Sequence, residues 1–387
     1  MRFHDGIFSQ LLEPICRRSF RDAAERLGGE AYVKGFDSWQ HLVALVFAQL
    51  AGAKSLRAIE TGFNANAHHH YHLGVGRIAR STLGDANNRR PAAIFAEAFA
   101  KLSRQAGSVL KTQGAEMLRL VDSSPIPLTK LSDWATSNGR IRGLKLHVVY
   151  DPNTDHPLRT DITPATVNDI SIGRRLEIET GACYVFDKGY CSYPWWSEIH
   201  AKRATFVTRP KSNARFTTLK DREVAKAKGD GFAITRDETV ALASKGDSKL
   251  DMPLRRVSVT RDNGQELTLI TNDLKRPAVE IAARYKIRWQ IELLFRWLKQ
   301  NLNLRTFLGR SENAVKLQVL AAMIAYLLLR IAARLSRQDI PAIRYAELIG
   351  SQLFTRRCIA SPDRPPPVNP NRPAPRNSLN QLSLCYE

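Results

Sequence analysis

Residues Arg284–Leu302 read RYKIRWQIELLFRWLKQNL and predict a helix with two very different faces. At about 100° per residue, four polar side chains fall within an arc of about 60°. They are Tyr285, Arg288, Glu292 and Lys299. The apolar residues of the opposite face are Ile287, Ile291, Leu294 and Leu298. The apolar face predicts burial, and the other face places one acid, two bases and a tyrosine on a single line.

Two explanations fit that polar line. A surface helix commonly carries a solvated charged face, which is the simpler explanation for one helix considered alone. Against it, Tyr285 and Trp289 also lie toward this face, where a solvated helix favours Lys and Glu. In addition, two aspartates elsewhere in the chain end apolar strands, and a site built on them needs a third carboxylate. The pattern therefore favours a functional face that includes Glu292.

The two aspartates lie in a region with strand periodicity. The segment EMLRLVDSS predicts a strand that ends in Asp122, and CYVFD predicts a buried strand that ends in Asp187. Between them, residues 144–151 and 156–163 alternate as a strand pair, and residues 168–178 predict a helix. This order predicts an α/β fold, which presents its chemistry at the carboxyl ends of sheet strands.

The spacing Tyr285-x2-Arg288-x3-Glu292-x6-Lys299 resembles the YREK signature of bacterial insertion-sequence transposases, in the IS-four-type branch of the DDE superfamily. The segment LVDSS resembles the strand that carries the first aspartate of this family. The segment DKGY, residues 187–190, resembles the second-aspartate motif, which usually reads Asp-Arg-Gly-Tyr. Four residue types at fixed spacing make the match much more specific than any single acid.

The resemblance extends over residues 5–335 and implies an RNase H-like catalytic core interrupted by a β-rich insertion domain. The catalytic, metal-binding acids that it implies are Asp122, Asp187 and Glu292. The DNA-backbone ligands that it implies are Tyr285, Arg288 and Lys299. Two Mg²⁺ ions about 3.5–4 Å apart stabilise both the attacking and the leaving oxygen of a phosphodiester. Mg²⁺ prefers carboxylate oxygen, and Mn²⁺ is an expected substitute.

The composition indicates a polyanionic partner. The chain has 387 residues, with 58 Lys and Arg against 37 Asp and Glu, a formal net charge of +21. Such a charge points to nucleic acid or to an anionic membrane. Apolar runs such as Val319–Leu329 are shorter than the ~20 residues of a membrane span, and the N-terminus has no signal-peptide core. Five scattered cysteines without a C-x-x-C pair indicate neither a disulfide framework nor a zinc site. We expect a DNA-binding protein in the cytoplasm, at the bacterial nucleoid.

The sequence predicts five regions. Residues 1–105 form a helical N-terminal domain, whose short helices and basic residues suit binding of DNA ends. Residues 115–190 and 276–336 are the two parts of the core, the second with the glutamate helix and C-terminal helices. Residues 191–275 form the basic, β-rich insertion between them. Residues 361–387 form a proline-rich tail.

Three histidine and lysine features admit two explanations each. The tract HHHYH, His68–His72, suits a solvated loop better than a metal site, because adjacent histidines cannot converge on one ion. Lys145 and His147 could reach the catalytic site from their strand. The simpler expectation for both is an ordinary solvent-facing position.

Other acids and aromatics compete for functional roles. Four acids lie in predicted turns or near strand ends, where aspartate is common for turn reasons alone: Asp151, Asp155, Asp161 and Asp169. Related transposases stack a flipped base on an aromatic residue. Three tryptophans are candidates, and at least two of them are expected to be buried: Trp195, Trp196 and Trp289.

The leading hypothesis is a cut-and-paste DDE transposase. Its double-stranded DNA partners would be the terminal inverted repeats of its element and the target DNA, and synapsis of two ends implies a homodimer. One alternative is a metal-dependent nuclease without strand transfer, which needs the same three acids. The other is a non-catalytic DNA-binding regulator, against which the intact acids argue.

Overall fold

The computed structural model describes residues 6–31, 33–110, 114–128, 132–137, 139, 141–224, 228–229, 231–243, 250–302, 307–336 and 342–363. Nearly all of the proline-rich tail, from residue 364 onward, lies outside the described residues. The described part combines an N-terminal helical region, one large mixed sheet and C-terminal helices, so the predicted α/β class is confirmed.

Helices fill the N-terminal region up to residue 110. Within the described residues they are α1 (Ile7–Leu12), α2 (Arg17–Arg26), α3 (Ser38–Leu50), α4 (Leu56–Asn64), α5 (His70–Leu73), α6 (Arg80–Arg89) and α7 (Ala92–Leu110). Two of them begin with a side-chain cap. The Asp37 carboxylate accepts from the Gln40 backbone N–H at 2.7 Å, and the Ser55 hydroxyl accepts from that of Ala58 at 3.1 Å. Such caps satisfy N–H groups that the first turn leaves without partners.

The histidine tract is not a solvated loop, so that expectation was wrong. It forms a 3-10 turn, Ala67–His69, which continues into α5. His70 is buried, and its Nε2 lies 3.0 Å from the Phe63 carbonyl oxygen. The tract therefore packs against α4 through one ring, and burial lowers the pKa of His70.

A second buried histidine makes folding stability depend on pH. His41 lies inside α3, with its Nε2 2.8 Å from Asn87 Oδ1, and burial lowers its pKa from 6.5 to about 3. Between pH 6.5 and about pH 3, His41 binds a proton in the unfolded chain but stays neutral in the folded chain. Acid therefore favours unfolding. We expect this group to lower the free energy of unfolding by ~2 kcal/mol between pH 7 and pH 5. Urea denaturation of wild type and His41→Gln at both pH values measures it, and an equal pH dependence in the two proteins would contradict it.

The sheet runs in the order β3-β2-β1-β4-β5-β10-β9-β8-β6, with β7 paired to β8. Its described strands are β1 (Leu118–Pro127), β2 (Gly143–Asp151), β3 (His156–Pro164), β4 (Cys183–Phe186), β5 (Thr205–Thr208), β6 (Phe216–Asp221), β7 (Lys228–Gly229), β8 (Phe232–Leu242), β9 (Leu254–Arg261) and β10 (Glu266–Thr271). The first three strands are antiparallel, and β4 and β5 continue parallel to β1. This arrangement of five strands is that of an RNase H-like core.

Two sequence expectations about the core need correction. β1 does not end at Asp122 but continues to Pro127, because β2 pairs with it as far as Gly143. The helix expected over residues 168–178 is shorter and spans only Asp169–Gly173, as α8. The parallel neighbour β4 does end at Phe186, which lies beside Val121 in the register.

The basic, β-rich segment extends the core sheet. β10 pairs antiparallel with β5, and the hairpin of β9 and β10 leads on to β8 and β6. Before them, α9 (Tyr193–Ala201) and β5 also fall within residues 191–275. Because β5 pairs in parallel with β4, this first part of the proposed insertion belongs to the RNase H-like arrangement.

The C-terminal helices begin with a break that the sequence pattern did not indicate. They are α10 (Ala278–Ile287), α11 (Trp289–Asn301), α12 (Glu312–Ser336) and α13 (Ala342–Ser351). Arg288 lies between α10 and α11, so the expected single helix is two. Among the described helices, α12 is long and apolar enough to cross a membrane, but 89% of its most apolar window is buried inside the protein. It packs on α3 and α7 as a core helix.

Candidate functional site

Three acids that are far apart in the sequence come together at the end of the parallel strands. Asp122 follows Val121 on β1 and Asp187 follows Phe186 on β4, so the paired register places the two aspartates side by side. α11 packs against β1 and brings Glu292 to the same place. Arg288 Nη1 donates to Asp122 Oδ2 at 2.8 Å, and its Nη2 donates to Glu292 Oε1 at 2.6 Å. One guanidinium thus joins the acid of a strand to the acid of a helix.

A second arginine holds the third acid. Arg209 follows β5 directly, and its Nε and Nη2 both donate to Asp187 Oδ1, at 2.9 and 2.6 Å. The hydroxyl of Tyr285 lies 3.4 Å from the same oxygen. Along the chain, Arg209 is one of many basic residues in the segment 191–275. The signal that could have identified it is its place immediately after the apolar strand TFVT, parallel to the strand of Asp187.

The polar line of the glutamate helix points toward the sheet and not toward solvent. Tyr285 is buried, and Lys299 Nζ donates to Ser124 Oγ on β1 at 2.7 Å. The solvated-face explanation is therefore wrong for this helix. The apolar residues predicted on the other face include three that are buried: Ile291, Leu294 and Leu298.

Burial, hydrogen bonds and neighbouring charges shift the pKa values of the two aspartates in opposite directions. Burial is the main cause that raises the pKa of Asp122 to about 6; Asp187 and Glu292 raise it further, and Arg288 lowers it. Burial also raises the pKa of Asp187, but hydrogen bonds from the Lys188 backbone N–H and from Arg209 outweigh it and leave this pKa below its ordinary value. Asp122 therefore senses the charge of the other two acids, Arg288 offsets that repulsion, and Arg209 stabilises the charged form of Asp187.

The donor set suits a hard divalent cation. The three side chains offer only carboxylate oxygens, which Mg²⁺ and related ions prefer over softer ligands. Among the described residues, however, no three His, Cys, Asp or Glu side chains lie close enough together to hold a metal ion. The reason is visible in the contacts, since Arg288 lies between Asp122 and Glu292. Binding of a cation by all three acids requires this guanidinium to move.

The expectations for Lys145 and His147 as solvent-facing strand residues were wrong. The Lys145 side chain is 18% exposed, and its Nζ lies 3.0 Å from Asp169 Oδ1. His147 is buried, with Nδ1 3.2 Å from the Tyr190 hydroxyl. Both lie close to the acidic site because β2 pairs directly with β1, which carries Asp122. In the register His147 is opposite Ser123, and Lys145 is opposite Pro125.

The tryptophans separate clearly by exposure. Trp195 and Trp196 are buried in the core around β4 and β5, as was expected for at least two of the three. Trp289 is 50% exposed at the start of α11. Beside it, Tyr285, Arg288, Phe232 and Leu269 line a cavity of about 260 Å³.

The fold and the site together define a class. An RNase H-like sheet that brings two strand-borne aspartates and a helix-borne glutamate together, on a strongly basic chain, is typical of proteins that act on the phosphodiester backbone of nucleic acids. The profile of the family described as "Transposase DDE domain" matches residues 113–328, and the chain belongs to this family. A second profile, described as a domain of unknown function (DUF4372), matches residues 4–76.

Individual relatives agree with this assignment. A Sinorhizobium fredii protein named as a transposase, y4zB, is 59% identical over 304 residues, which is 79% of this chain and 85% of the relative. A Geobacillus stearothermophilus protein named as a transposase for insertion sequence element IS5377 is 31% identical over 66% of this chain and 68% of its own. One solved structure is similar in fold, the cryo-EM structure of the piggyBac transposase synaptic complex with hairpin DNA. The similarity covers 94% of this chain and 81% of the piggyBac chain, with a TM-score of 0.47 and 10% sequence identity. The family match and the two named relatives therefore place the chain among transposases with a DDE domain. Transposases act on DNA, and DDE domains use divalent metal ions.

Proposed function

We propose that this chain is the cut-and-paste transposase of an insertion sequence. It cleaves the DNA at the ends of its own element and joins the freed 3′-OH to target DNA. The observation that carries the proposal is the contact of one guanidinium, that of Arg288, with both Asp122 and Glu292, beside Asp187. Two strands and a helix thus bring the three acids to the same end of the parallel strands, on a basic chain.

The catalytic acids in this proposal are Asp122, Asp187 and Glu292, which would hold two Mg²⁺ ions, with Mn²⁺ as a substitute. When bound, the ions supply charge stabilisation for the attacking and leaving oxygens. In cleavage, a water oxygen attacks the phosphorus and the bond to the 3′ oxygen breaks, which leaves a 3′-OH and a 5′-phosphate. In strand transfer, that 3′-OH attacks a target phosphorus and displaces a 3′ oxygen of the target strand.

The remaining residues of the polar line hold DNA. Tyr285 and Arg288 contact the acids directly, and Lys299 bonds to Ser124, the second residue after Asp122. Their N–H and O–H groups suit phosphate oxygens. In this proposal Arg288 leaves the carboxylates for a phosphate when DNA and metal bind, and its planar fork favours a bidentate contact. The spacing of these residues supports assignment to the IS-four-type branch.

The partners follow from the reaction. We infer that residues 1–105 bind the inverted repeats, that two copies of the chain form a homodimer on paired ends, and that the protein works at the nucleoid in the cytoplasm. The net charge of +21 supports a partner of extended negative charge.

A cleavage and joining assay tests the proposal. The purified chain is incubated with a duplex that carries the element's own end, a supercoiled target plasmid, and Mg²⁺, Mn²⁺ or EDTA. We expect metal-dependent nicks at the end and joined products. Nicks without joined products would favour the nuclease alternative, and DNA binding without cleavage in either metal would favour the regulator.

Arg288→Ala tests the dual role of this arginine in the absence of DNA. The change leaves two carboxylates facing each other without their shared cation, so we expect the free energy of unfolding to fall by ~2–3 kcal/mol in metal-free buffer. Because a divalent cation supplies the missing positive charge, Mn²⁺ should stabilise the variant more than the wild type. Denaturation with and without Mn²⁺ measures both effects.

Arg256→Ala, which breaks the pair with Glu238 in the insertion, is the matched control and should gain no extra stability from Mn²⁺. An equal response of Arg288→Ala and the control would contradict the prediction.

A further inference from the structure

A polar cluster lies directly behind the two strand-borne aspartates and has no part in the function proposed so far. Its centre is Asp169, the first residue of α8. Its Oδ1 accepts from the Ser123 hydroxyl and from Lys145 Nζ, each at 3.0 Å. Ser123 follows Asp122, and its backbone N–H donates to Asp122 Oδ1 at 2.8 Å. Ser123 thus connects Asp169 to Asp122, the first of the proposed catalytic acids, through two hydrogen bonds.

The other oxygen of Asp169 packs against the segment that follows the second aspartate. A Cβ atom added to Gly189 would lie 3.0 Å from Asp169 Oδ2, closer than ordinary van der Waals contact. Gly189 is the second residue after Asp187, in the 3-10 turn Lys188–Tyr190. One carboxylate therefore bonds to the residue after Asp122 and lies beside the turn that follows Asp187.

Lys145 fixes this carboxylate and balances its charge. Besides the contact with Asp169, its Nζ donates to the Val167 carbonyl oxygen at 2.8 Å, which ties β2 to the segment before α8. His147 lies next to the pair, with Nδ1 3.9 Å from Asp169 Oδ1. An unpaired fourth carboxylate here would repel the acids of the site, whereas a paired one can support them without adding net charge.

We propose that Asp169 is a positioning residue, held by Lys145, that sets the spacing of Asp122 and Asp187 for a divalent cation. The inference rests on the proposed function, since it concerns the acids of the same site. Hydrogen-bonded partners that orient metal-binding side chains typically change metal affinity by 10–100-fold when they are replaced. In the sequence, Asp169 is one of four acids in turns or near strand ends. Its position beside the site is visible only in the structure, because its contacts join segments that are distant in the chain.

Mn²⁺ binding gives a readout that does not depend on turnover. The protein is bound to a duplex that carries the element end, and bound Mn²⁺ is counted from the loss of the electron paramagnetic resonance signal of free Mn²⁺, with the duplex alone as a blank. Two variants disturb the same contact from opposite sides, Asp169→Asn and Gly189→Ala. The matched control is Asp151→Asn, an acid of the same sheet that is paired with Arg119 and does not contact the cluster.

We expect both variants to weaken Mn²⁺ binding by about 10–100-fold, while the thermal unfolding midpoint and the affinity for DNA stay near those of wild type and of Asp151→Asn. The metal concentration for half-maximal cleavage should rise in parallel. Mn²⁺ dissociation constants within twofold of wild type in both variants would overturn the inference, as would losses of folding stability and DNA affinity that match the loss of Mn²⁺. Failure of the wild-type complex itself to bind Mn²⁺ would contradict the proposed function instead.

Discussion

Replacing Asp187 with asparagine is expected to lower the rate of cleavage at the element ends by at least ~10³-fold, which corresponds to about 4 kcal/mol of transition-state stabilisation. The amide keeps the size of the side chain and still accepts a hydrogen bond from Arg209, so the strand end should keep its shape. It loses the negative charge that a hard cation requires. The loss should therefore appear in chemistry and not in folding.

Glu292→Gln should give a loss of similar size, because its carboxylate completes the acidic set from the helix side. Single-turnover cleavage of an end duplex in Mg²⁺ measures both variants. Asp161→Asn is the matched control, since that side chain is 31% exposed against 29% for Asp187 and is likewise paired with an arginine. Cleavage by either active-site variant within tenfold of this control would remove Asp187 or Glu292 from the catalytic assignment.

The affinity for DNA is expected to fall about 10³–10⁵-fold between 50 and 200 mM salt, if the interface neutralises 6–10 phosphates. The cause is the release of cations that are condensed on DNA, which salt makes less favourable. The excess of 58 basic over 37 acidic residues makes an interface of this size attainable. Fluorescence anisotropy of a labelled end duplex across a salt series gives the slope of log affinity against log salt concentration directly.

A single phosphate ligand should change that slope by a predictable step. Lys299→Ala is expected to reduce it by about 1, whereas a lysine outside the site should have less effect if it does not contact DNA. Lys316, paired with Glu312 on α12, is a suitable comparison. A nearly flat salt dependence in the wild type would contradict a backbone-dominated interface.

Local patterns predicted the elements of the core well. Alternation in LKLHVVYD and HPLRTDIT identified β2 and β3, and the apolar residues of CYVFD identified β4. These signals are local, because residues two apart share the face of a strand. The ends were less accurate. β1 continues past Asp122, since its length is set by pairing with β2 and not by its own composition.

The site was predictable only in part, because local spacing reports which side chains share a face but not what packs against that face. The spacing of Tyr285, Arg288, Glu292 and Lys299 predicts that these side chains share one side of a helix, because it follows the backbone period. In the structure that helix is divided at Arg288 into α10 and α11. The spacing does not report what covers that side. The sheet covers it, so Tyr285 is buried and Lys299 bonds to Ser124.

Arg209, Lys145 and Asp169 show the limit most clearly. Each is an ordinary charged residue beside a strand or turn when read along the chain. Each acquires its place only when β5 pairs in parallel with β4 and when β2 pairs with β1. Composition indicated a polyanionic partner, and the resemblance of the motifs to the YREK family indicated the class of protein and the three acids that we propose as catalytic. Strand register and helix packing join residues from 22 to 166 positions apart in the chain. Which arginines pair with those acids, and which side chains lie beside them, therefore followed from the three-dimensional structure alone.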